Sequence, residues 1–286
     1  MIFDNSTLKH DFKEYITSQI SKLHLKSDVK LTLNIIQIGD DFASSKYVGI
    51  KYKVGASIGV EVFIHKYLSD INPENVFVDL QLITAKSNTG IIYQLPVPQS
   101  FLQMVHQTPI KGDVDLLGSG QWELWRRGFL PPTIGAIDLT LKAMSGYKRT
   151  SDTSSFILHD LDLSGKIVAV IGQGVLVGRP LLQYLVNRNA TILSINKDTA
   201  NPIELVKQAD IVICAAGSKN LINDEWLKPS AVVIDAATSE DNGGLVGDVD
   251  RESIPDSVLL SPSPGGIGGL TVLYLFYNLL RLNQLN

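Results

Sequence analysis

Short runs of β-branched and apolar residues alternate with helical segments along most of this chain. In the first half, the runs predict strands at residues 29–38, 60–64 and 90–94. Helical segments at residues 43–59 and 72–85 separate these strands. Strands that are separated by helices pair in parallel through right-handed crossovers. The pattern therefore predicts an α/β fold.

The same alternation restarts after a polar segment at residues 150–155. A strand at residues 166–171 leads through a glycine-rich turn into a helix at residues 178–188. Further strands are predicted at residues 191–195, 211–215, 231–236 and 258–260. A dinucleotide-binding domain of the Rossmann type is built from such a series of βαβ units.

The two series predict two lobes. The first lobe comprises residues 1–144 and 265–286, because an apolar helix predicted at residues 270–282 is expected to pack back on the first half. The second lobe, of the Rossmann type, comprises residues 145–264. Ligand sites are common where domains meet, so we expect the active cleft there.

The charge and composition of the chain argue against several classes of function. With 25 basic and 29 acidic residues, the chain lacks the excess of cations that binding to a phosphate backbone requires. Residues 1–23 carry charges among their apolar positions, which favours an amphipathic helix over a signal peptide. No run approaches the ~18 apolar residues that cross a bilayer, and the single cysteine, Cys214, lies in a predicted buried strand. We expect a cytoplasmic protein that acts on small molecules, without nucleic-acid or membrane partners.

The turn after the strand at residues 166–171 contains Gly172, Gly174 and Gly178. Glycines at these positions permit a tight turn, close approach of the backbone to a pyrophosphate, and close packing of helix on strand. A plain turn between strand and helix is the alternative, but the βαβ units around the turn favour a dinucleotide site. The candidate cofactor-binding residues of the turn are Gly172, Gln173, Gly174, Val177, Gly178 and Arg179.

The residues after the second strand of such a domain select the form of the ribose. Here these residues are Asn196, Lys197 and Asp198. Lys197 favours the 2′-phosphate of NADP, Asp198 favours the 2′-hydroxyl of NAD, and a solvated turn is a third interpretation. Arg179 either serves a phosphate too or lies on the helix surface.

A second group of candidate residues lies in the first lobe. Tyr47 and Lys51 are four residues apart and therefore share one face of the predicted helix. Gln94 leaves a buried strand just before a proline corner, where its amide can point into a site. The alternative interpretations are a solvated helix face and prolines that only mark a strand end.

Several motifs occur in the same order as in a known enzyme family. They are Gly39-Asp40-Asp41-Phe42-Ala43-Ser44-Ser45-Lys46-Tyr47-Val48 with Lys51 and Lys53, Gln94-Leu95-Pro96-Val97-Pro98, Asp113-Val114-Asp115, Val177-Gly178-Arg179-Pro180, Gly247-Asp248-Val249-Asp250, and Pro264-Gly265-Gly266-Ile267-Gly268 before Thr271 and Asn278. In this order they resemble the bifunctional methylenetetrahydrofolate dehydrogenase/methenyltetrahydrofolate cyclohydrolase family. The resemblance extends over most of the chain.

The resemblance implies that 5,10-methylenetetrahydrofolate is oxidised with NADP and that the product is hydrolysed to 10-formyltetrahydrofolate. It implies three catalytic residues: Tyr47 stacks on the folate, Lys51 serves the hydrolytic step and Gln94 orients Lys51. The residues implied in substrate binding are Tyr47, Asp115, Pro264, Gly265 and Gly266, and the cofactor site gains Lys197, Gly217 and Thr271. The resemblance further implies a homodimer, and we expect no metal site.

The chain departs from the family pattern at three places, one of which is Pro131-Pro132-Thr133-Ile134, where the family has a Pro-Cys-Thr-Pro-like segment. An extra Gly112 precedes the Asp-Val-Asp motif and Leu116 replaces the glycine that usually follows it, so we expect a shifted pterin end. Gln173 stands where an arginine is common, which removes one partner of a 2′-phosphate. Lys197 then replaces that arginine, or the enzyme accepts NAD. The alternative functions are a monofunctional NAD-dependent methylenetetrahydrofolate dehydrogenase and a non-catalytic folate- or nucleotide-binding protein.

Overall fold

The structure, a computed structural model, describes residues 1–27, 30–85, 88–145, 157, 159–241 and 244–284. Its helices are α1 (Ser6–Ser27), α2 (Phe42–Ile58), α3 (Pro73–Thr84), α4 (Leu102–His106), α5 (Gln121–Arg126), α6 (Pro132–Met144), α7 (Gly178–Val186), α8 (Pro202–Val206) and α9 (Gly268–Gln284). Its strands are β1 (Thr32–Ile38), β2 (Glu61–Tyr67), β3 (Thr89–Tyr93), β4 (Ile167–Ile171), β5 (Thr191–Ile195), β6 (Ile211–Cys214), β7 (Val232–Asp235), β8 (Ser239–Asp241), β9 (Gly244–Val246) and β10 (Leu259–Ser261). The polar segment at residues 150–155 lies outside the described residues.

Most strands belong to two parallel sheets. β1 lies between β2 and β3 in a three-stranded sheet, and a five-stranded sheet has the order β10-β7-β6-β4-β5. Neighbouring strands are parallel in both sheets, whereas β8 and β9 form a separate antiparallel ribbon. The α/β fold class that the alternation of strands and helices predicts is confirmed.

Helices α4, α6 and α8 and the β8–β9 ribbon have no counterpart in the sequence prediction. α4 and α8 have five residues each, which is too short for a helical period to stand out. α6 is buried on nearly all sides, and its apolar residues Ile134, Ala136, Ile137, Leu139 and Leu141 are at most 3% exposed. Its charged residues Asp138 and Lys142 are buried as well and form an ion pair with each other, so the helix has no solvated face that would give the sequence an amphipathic pattern.

The chain divides into two compact units. The three-strand unit comprises Phe12–Pro132 and Val272–Asn286, and the five-strand unit comprises Met1–Asp11 and Thr133–Thr271. Most of α9 therefore groups with the first sheet, which confirms the predicted return of the C-terminal helix to the first half of the chain.

Buried hydrogen bonds explain why the first residues and α6 group with the five-stranded sheet. Asn5 Nδ2 donates to Ser261 Oγ at 2.9 Å, and Thr140 Oγ1 donates to Asn5 Oδ1 at 3.3 Å. A buried polar group without a partner costs about 1–3 kcal/mol, so these bonds tie both segments to that sheet. The domains predicted above, residues 1–144 with 265–286 and residues 145–264, are divided differently from these units and stay a prediction.

Each unit has a hydrophobic core against its own sheet. The core of the five-strand unit includes Ala169, Val212 and Cys214, and that of the three-strand unit includes Ile36 and Phe101. Burial raises the pKa of the Cys214 thiol, so this residue packs as a small apolar side chain. Within the described part of the chain, no helix is long and apolar enough to cross a bilayer.

Candidate active site and cofactor site

Helix α2 carries Tyr47 and Lys51. The Asp41 carboxylate caps the helix by accepting a hydrogen bond from the Ser44 amide at 2.7 Å. Residues four apart on a helix are neighbours on its surface, so Tyr47 and Lys51 lie one turn apart on one face. Both side chains are half-buried, which differs from the solvated helix face considered as an alternative.

Gln94 follows β3, and its hydrogen bonds orient its side chain. The Gln94 backbone amide donates to the Ile36 carbonyl at 2.8 Å, and Nε2 donates to the Leu95 carbonyl at 3.0 Å. Oε1 accepts a hydrogen bond from Lys51 Nζ at 2.9 Å. The structure thus brings together Lys51 and Gln94, which are 43 residues apart in the sequence.

The surroundings of Lys51 favour its neutral form. Burial lowers the pKa of the Lys51 ammonium, and the negative charge of Asp115 partly opposes this shift. Burial raises the pKa of the Asp115 carboxyl, and the charge of Lys51 opposes that shift in turn. Lys51 and Asp115 therefore belong to one electrostatic site. An amine with a lowered pKa can take up a proton and return it in the same reaction.

The loop that carries Asp115 is ordered by its own side chains. The Asp113 carboxylate accepts hydrogen bonds from the Leu117 amide at 3.1 Å and the Gly118 amide at 2.8 Å, and burial raises the pKa of Asp113 to about 6. Leu116 has a φ of 58°, in the left-handed region that glycine adopts at lower cost. Leu116 therefore adopts a turn conformation that usually requires glycine, and its side chain is buried.

Asn278 on α9 holds the same loop from the other side. Its Nδ2 donates to the Val114 carbonyl at 3.0 Å and to the Leu130 carbonyl at 2.9 Å. The side chain is completely buried. The sequence alone assigns no role to Asn278. The one feature that distinguishes this residue in the sequence is its polar side chain within a largely apolar helix.

The family resemblance implies a hydrolytic step in which Lys51 is the base, and on that hypothesis we expect Asp115→Asn to move the pH dependence of the step. A lysine acts as a base only when neutral, so the rate should rise as the pH rises through the pKa of Lys51. Loss of the Asp115 charge lowers that pKa further, so the rise should occur at lower pH. The measurement is kcat against pH with saturating methenyltetrahydrofolate. Asp70→Asn, at an exposed position of the same unit, is the control; an unmoved profile or a shift to higher pH in Asp115→Asn would contradict the account.

The glycine turn between β4 and α7 has the shape that the sequence predicts. Gly172 has a φ of 100°, and a Cβ there would overlap the Ala215 carbonyl oxygen. A Cβ on Gly178 would overlap the Gly172 carbonyl oxygen, whereas one on Gly174 would have no neighbour within 4 Å. Gly172 and Gly178 therefore allow close packing of backbone on backbone, and Gly174 leaves open space beside the turn. These residues fit a bound dinucleotide, with Val177 directly before the first turn of α7.

Neutral side chains link the glycine turn to the end of β5. Gln173 Nε2 donates to Ser194 Oγ at 2.8 Å, and Asn196 Nδ2 donates to Gln173 Oε1 at 3.3 Å. Arg179 is exposed, and its Nε donates to the Gln173 carbonyl at 3.2 Å. Lys197 is exposed beside Asn196, where an ammonium group can meet a 2′-phosphate.

The remaining candidate residues also lie in the five-strand unit. Gly217 has a φ of 69° and Gly265 one of 105°, both in the region that favours glycine. Gly266 follows Gly265, and a Cβ there would overlap the Pro262 carbonyl oxygen. Thr271 Oγ1 donates to the Ile267 carbonyl at 3.2 Å within α9. The structure places Pro264, Gly265 and Gly266 in the five-strand unit, and Tyr47, Lys51, Gln94 and Asp115 in the three-strand unit.

Two family models match the chain. The model of the tetrahydrofolate dehydrogenase/cyclohydrolase catalytic domain matches residues 3–115, and that of the tetrahydrofolate dehydrogenase/cyclohydrolase NAD(P)-binding domain matches residues 154–286. The bifunctional protein FolD of Clostridium perfringens is 30% identical, with 98% of each chain covered. The bifunctional protein FolD of Aquifex aeolicus is also 30% identical, with 98% of this chain and 94% of the relative covered.

Solved structures are similar over the whole chain. The bifunctional FolD of Campylobacter jejuni superimposes with a TM-score of 0.87 at 26% identity, covering 99% of this chain and 98% of that one. The FolD of Trypanosoma brucei, solved as a complex with NADP cofactor and inhibitor, has a TM-score of 0.85 at 25% identity, covering 99% and 97%.

Proposed function

This chain belongs to the tetrahydrofolate dehydrogenase/cyclohydrolase family, and we propose that it oxidises 5,10-methylenetetrahydrofolate with NADP and hydrolyses the resulting 5,10-methenyltetrahydrofolate to 10-formyltetrahydrofolate. The observation that carries the hydrolytic activity is the contact between Lys51 Nζ and Gln94 Oε1 at 2.9 Å, next to the charge of Asp115. A protein that only binds folate or nucleotide needs no lysine with a lowered pKa. The glycine turn at Gly172 supports the dinucleotide part of the proposal.

The oxidation needs position more than proton transfer. When bound, the dinucleotide accepts a hydride from the methylene carbon at C4 of its nicotinamide. The cation that remains is delocalised over two folate nitrogens, so no side chain has to remove a proton. Tyr47 stacks on the folate, and Asp115 accepts hydrogen bonds from the amino-pyrimidine edge of the pterin. Holding the two reactants in register supplies the rate enhancement.

The hydrolysis needs a group that takes and returns a proton. Neutral Lys51 removes a proton from the water whose oxygen bonds to the methenyl carbon. The ammonium form then protonates N5 of the folate as the bond from that nitrogen to the carbon breaks. The new hydroxyl loses its proton to solvent as the formyl carbonyl forms, so the reaction releases one proton overall. Gln94 is a positioning residue, because it holds Lys51 Nζ through Oε1.

NADP is expected to be the preferred cofactor, with Lys197 as the partner of its 2′-phosphate. A charge-assisted contact is worth about 1.5–3 kcal/mol, so Lys197→Ala should reduce the ratio of kcat/KM for NADP over NAD by roughly ten- to a hundredfold. Lys166→Ala is a matched control, since Lys166 is also exposed but precedes β4 at the opposite end of the sheet. Equal use of both cofactors by the unmodified protein would contradict the assignment.

We infer that the protein is a cytoplasmic homodimer whose small-molecule partner is folate. The family resemblance supports a dimer formed through the five-strand unit. In that unit β5 is an edge strand, and Val175 and Val186 are 66% and 65% exposed. Light scattering on the purified protein should give twice the mass of the chain, and a single-chain mass would contradict the inference.

Two separate assays test the proposed function. In the first, 5,10-methylenetetrahydrofolate and NADP are mixed with the protein and reduced nicotinamide is measured. In the second, methenyltetrahydrofolate is supplied without cofactor, and its disappearance is compared with the spontaneous rate. The proposal requires activity in both assays. Activity in the first assay alone would identify a monofunctional dehydrogenase, and activity in neither would leave a binding protein.

A further inference from the structure

We propose that Asp248 is a positioning residue of the cofactor site, which it serves by ordering the loop after β6. The proposal rests on the dinucleotide binding of the proposed function. The Asp248 carboxylate accepts hydrogen bonds from three consecutive backbone amides: Ala216 at 2.7 Å, Gly217 at 3.2 Å and Ser218 at 2.6 Å. Asp248 is completely buried. Only a carboxylate offers two acceptor oxygens and no donor at this place.

The loop ordered by Asp248 lies where a doubly wound sheet binds its ligand. The chain passes from β4 to β5 on one side and returns to β6 on the other side of β4. Ligands bind at the carboxyl ends of the strands at such a reversal. The Ala215 amide donates to the Ile171 carbonyl at 2.7 Å, so the loop begins beside the end of β4.

The same loop is in backbone contact with the glycine turn. A Cβ on Gly172 would overlap the Ala215 carbonyl oxygen and lie 2.8 Å from the Ala216 Cα. A displacement of residues 215–218 therefore changes the space available to the Gly172 turn. Asp248 acts through the loop, because both of its oxygens accept backbone hydrogen bonds.

A second buried carboxylate fixes the position of Asp248 itself. Asp235, at the end of β7, accepts hydrogen bonds from the backbone amides of Asp248 at 3.2 Å and Val249 at 3.1 Å. It also accepts one from the Ala237 amide at 3.1 Å. Asp235 thus holds the segment that carries Asp248, and Asp248 holds the loop beside Gly172. These two sets of hydrogen bonds connect the end of β7 to the proposed cofactor site.

The test compares Asp248→Asn with Asp250→Asn. Asparagine places an NH₂ group against backbone donors, so one or two of the three hydrogen bonds are lost. We expect the Kd for NADP, measured by calorimetry, to rise roughly tenfold or more, the size expected for a lost charge-assisted bond. The KM for NADP should rise in parallel, while kcat at saturating NADP and the Kd for folate stay within about twofold. Asp250 lies two residues on and is half-buried, so Asp250→Asn should leave all four values unchanged.

Several outcomes would overturn the proposal. An Asp248→Asn protein with the NADP affinity of the unmodified protein would do so, as would an equal loss of folate affinity, which indicates general destabilisation. If Asp248→Asn fails to fold, NADP is titrated into the unmodified protein and amide resonances are followed by NMR. The amides of Ala216, Gly217 and Ser218 should shift, and unshifted resonances would overturn the inference. An unmodified protein that binds neither NADP nor NAD would overturn the proposed function as well.

Discussion

Replacement of Lys51 with methionine is expected to abolish the hydrolysis of methenyltetrahydrofolate while hydride transfer survives. General acid–base help is worth ~10²–10⁴-fold, and methionine has no group that takes up a proton. The methionine side chain keeps most of the apolar stem of lysine, so the half-buried position stays filled. Hydride transfer depends on the position of the two reactants, so it should fall far less. Both rates are measured on the same preparation.

Lys53→Met is the matched control for this change. Lys53 lies on the same helix but is exposed, so its replacement should leave both activities within about twofold of the unmodified protein. If Lys51→Met hydrolysed methenyltetrahydrofolate at the unmodified rate, Lys51 would be an ordinary helix residue. An equal loss of both activities would instead indicate damage to the folate site.

Gly172→Ala is expected to destabilise the five-strand unit by about 3 kcal/mol. A non-glycine residue held in a disfavoured backbone region costs about 1–3 kcal/mol, and the φ of Gly172 is 100°. The new methyl group would also overlap the Ala215 carbonyl oxygen, which is backbone and cannot rotate away. The change should lower the midpoint of urea unfolding and abolish NADP binding. Unaltered stability would show that the turn adopts another conformation.

Gly174→Ala in the same turn separates packing from ligand contact. A Cβ at Gly174 has no neighbour within 4 Å, so stability should be nearly unchanged. We propose that the pyrophosphate occupies the open space beside Gly174, so the Kd for NADP should still rise roughly tenfold. Unchanged NADP affinity would place the pyrophosphate elsewhere.

The sequence predicts the sheets well because buried parallel strands leave continuous apolar runs. The run at residues 191–195 coincides with β5, and most others differ from their strands by one residue at one or both ends. β1 begins three residues later than predicted, and β2 ends three residues later than predicted. α6 escapes prediction because it is buried on nearly all sides, its Asp138–Lys142 ion pair included, and the β8–β9 ribbon because its strands have three residues each. The first eleven residues group with the five-stranded sheet through Asn5, which no local pattern indicates.

In the candidate site, as in the fold, the sequence predicts local contacts but not contacts between residues that are far apart in the chain. Tyr47 and Lys51 are predictable as a pair because helical spacing alone makes them neighbours. The contact of Lys51 with Gln94 depends on how β3 pairs with β1, which the sequence does not specify. The bonds of Asn278 and Asp248 connect residues 164 and about 30 positions apart, so they appear only in the folded chain.

The most direct test of the account is one time course with 5,10-methylenetetrahydrofolate and NADP in which three products are measured together. In the unmodified protein, reduced nicotinamide and 10-formyltetrahydrofolate should rise together, while methenyltetrahydrofolate stays low. With Lys51→Met, reduced nicotinamide should instead rise together with methenyltetrahydrofolate. Methenyltetrahydrofolate that accumulates with the unmodified protein and decays only at its spontaneous rate would contradict the claim that this chain carries out both steps.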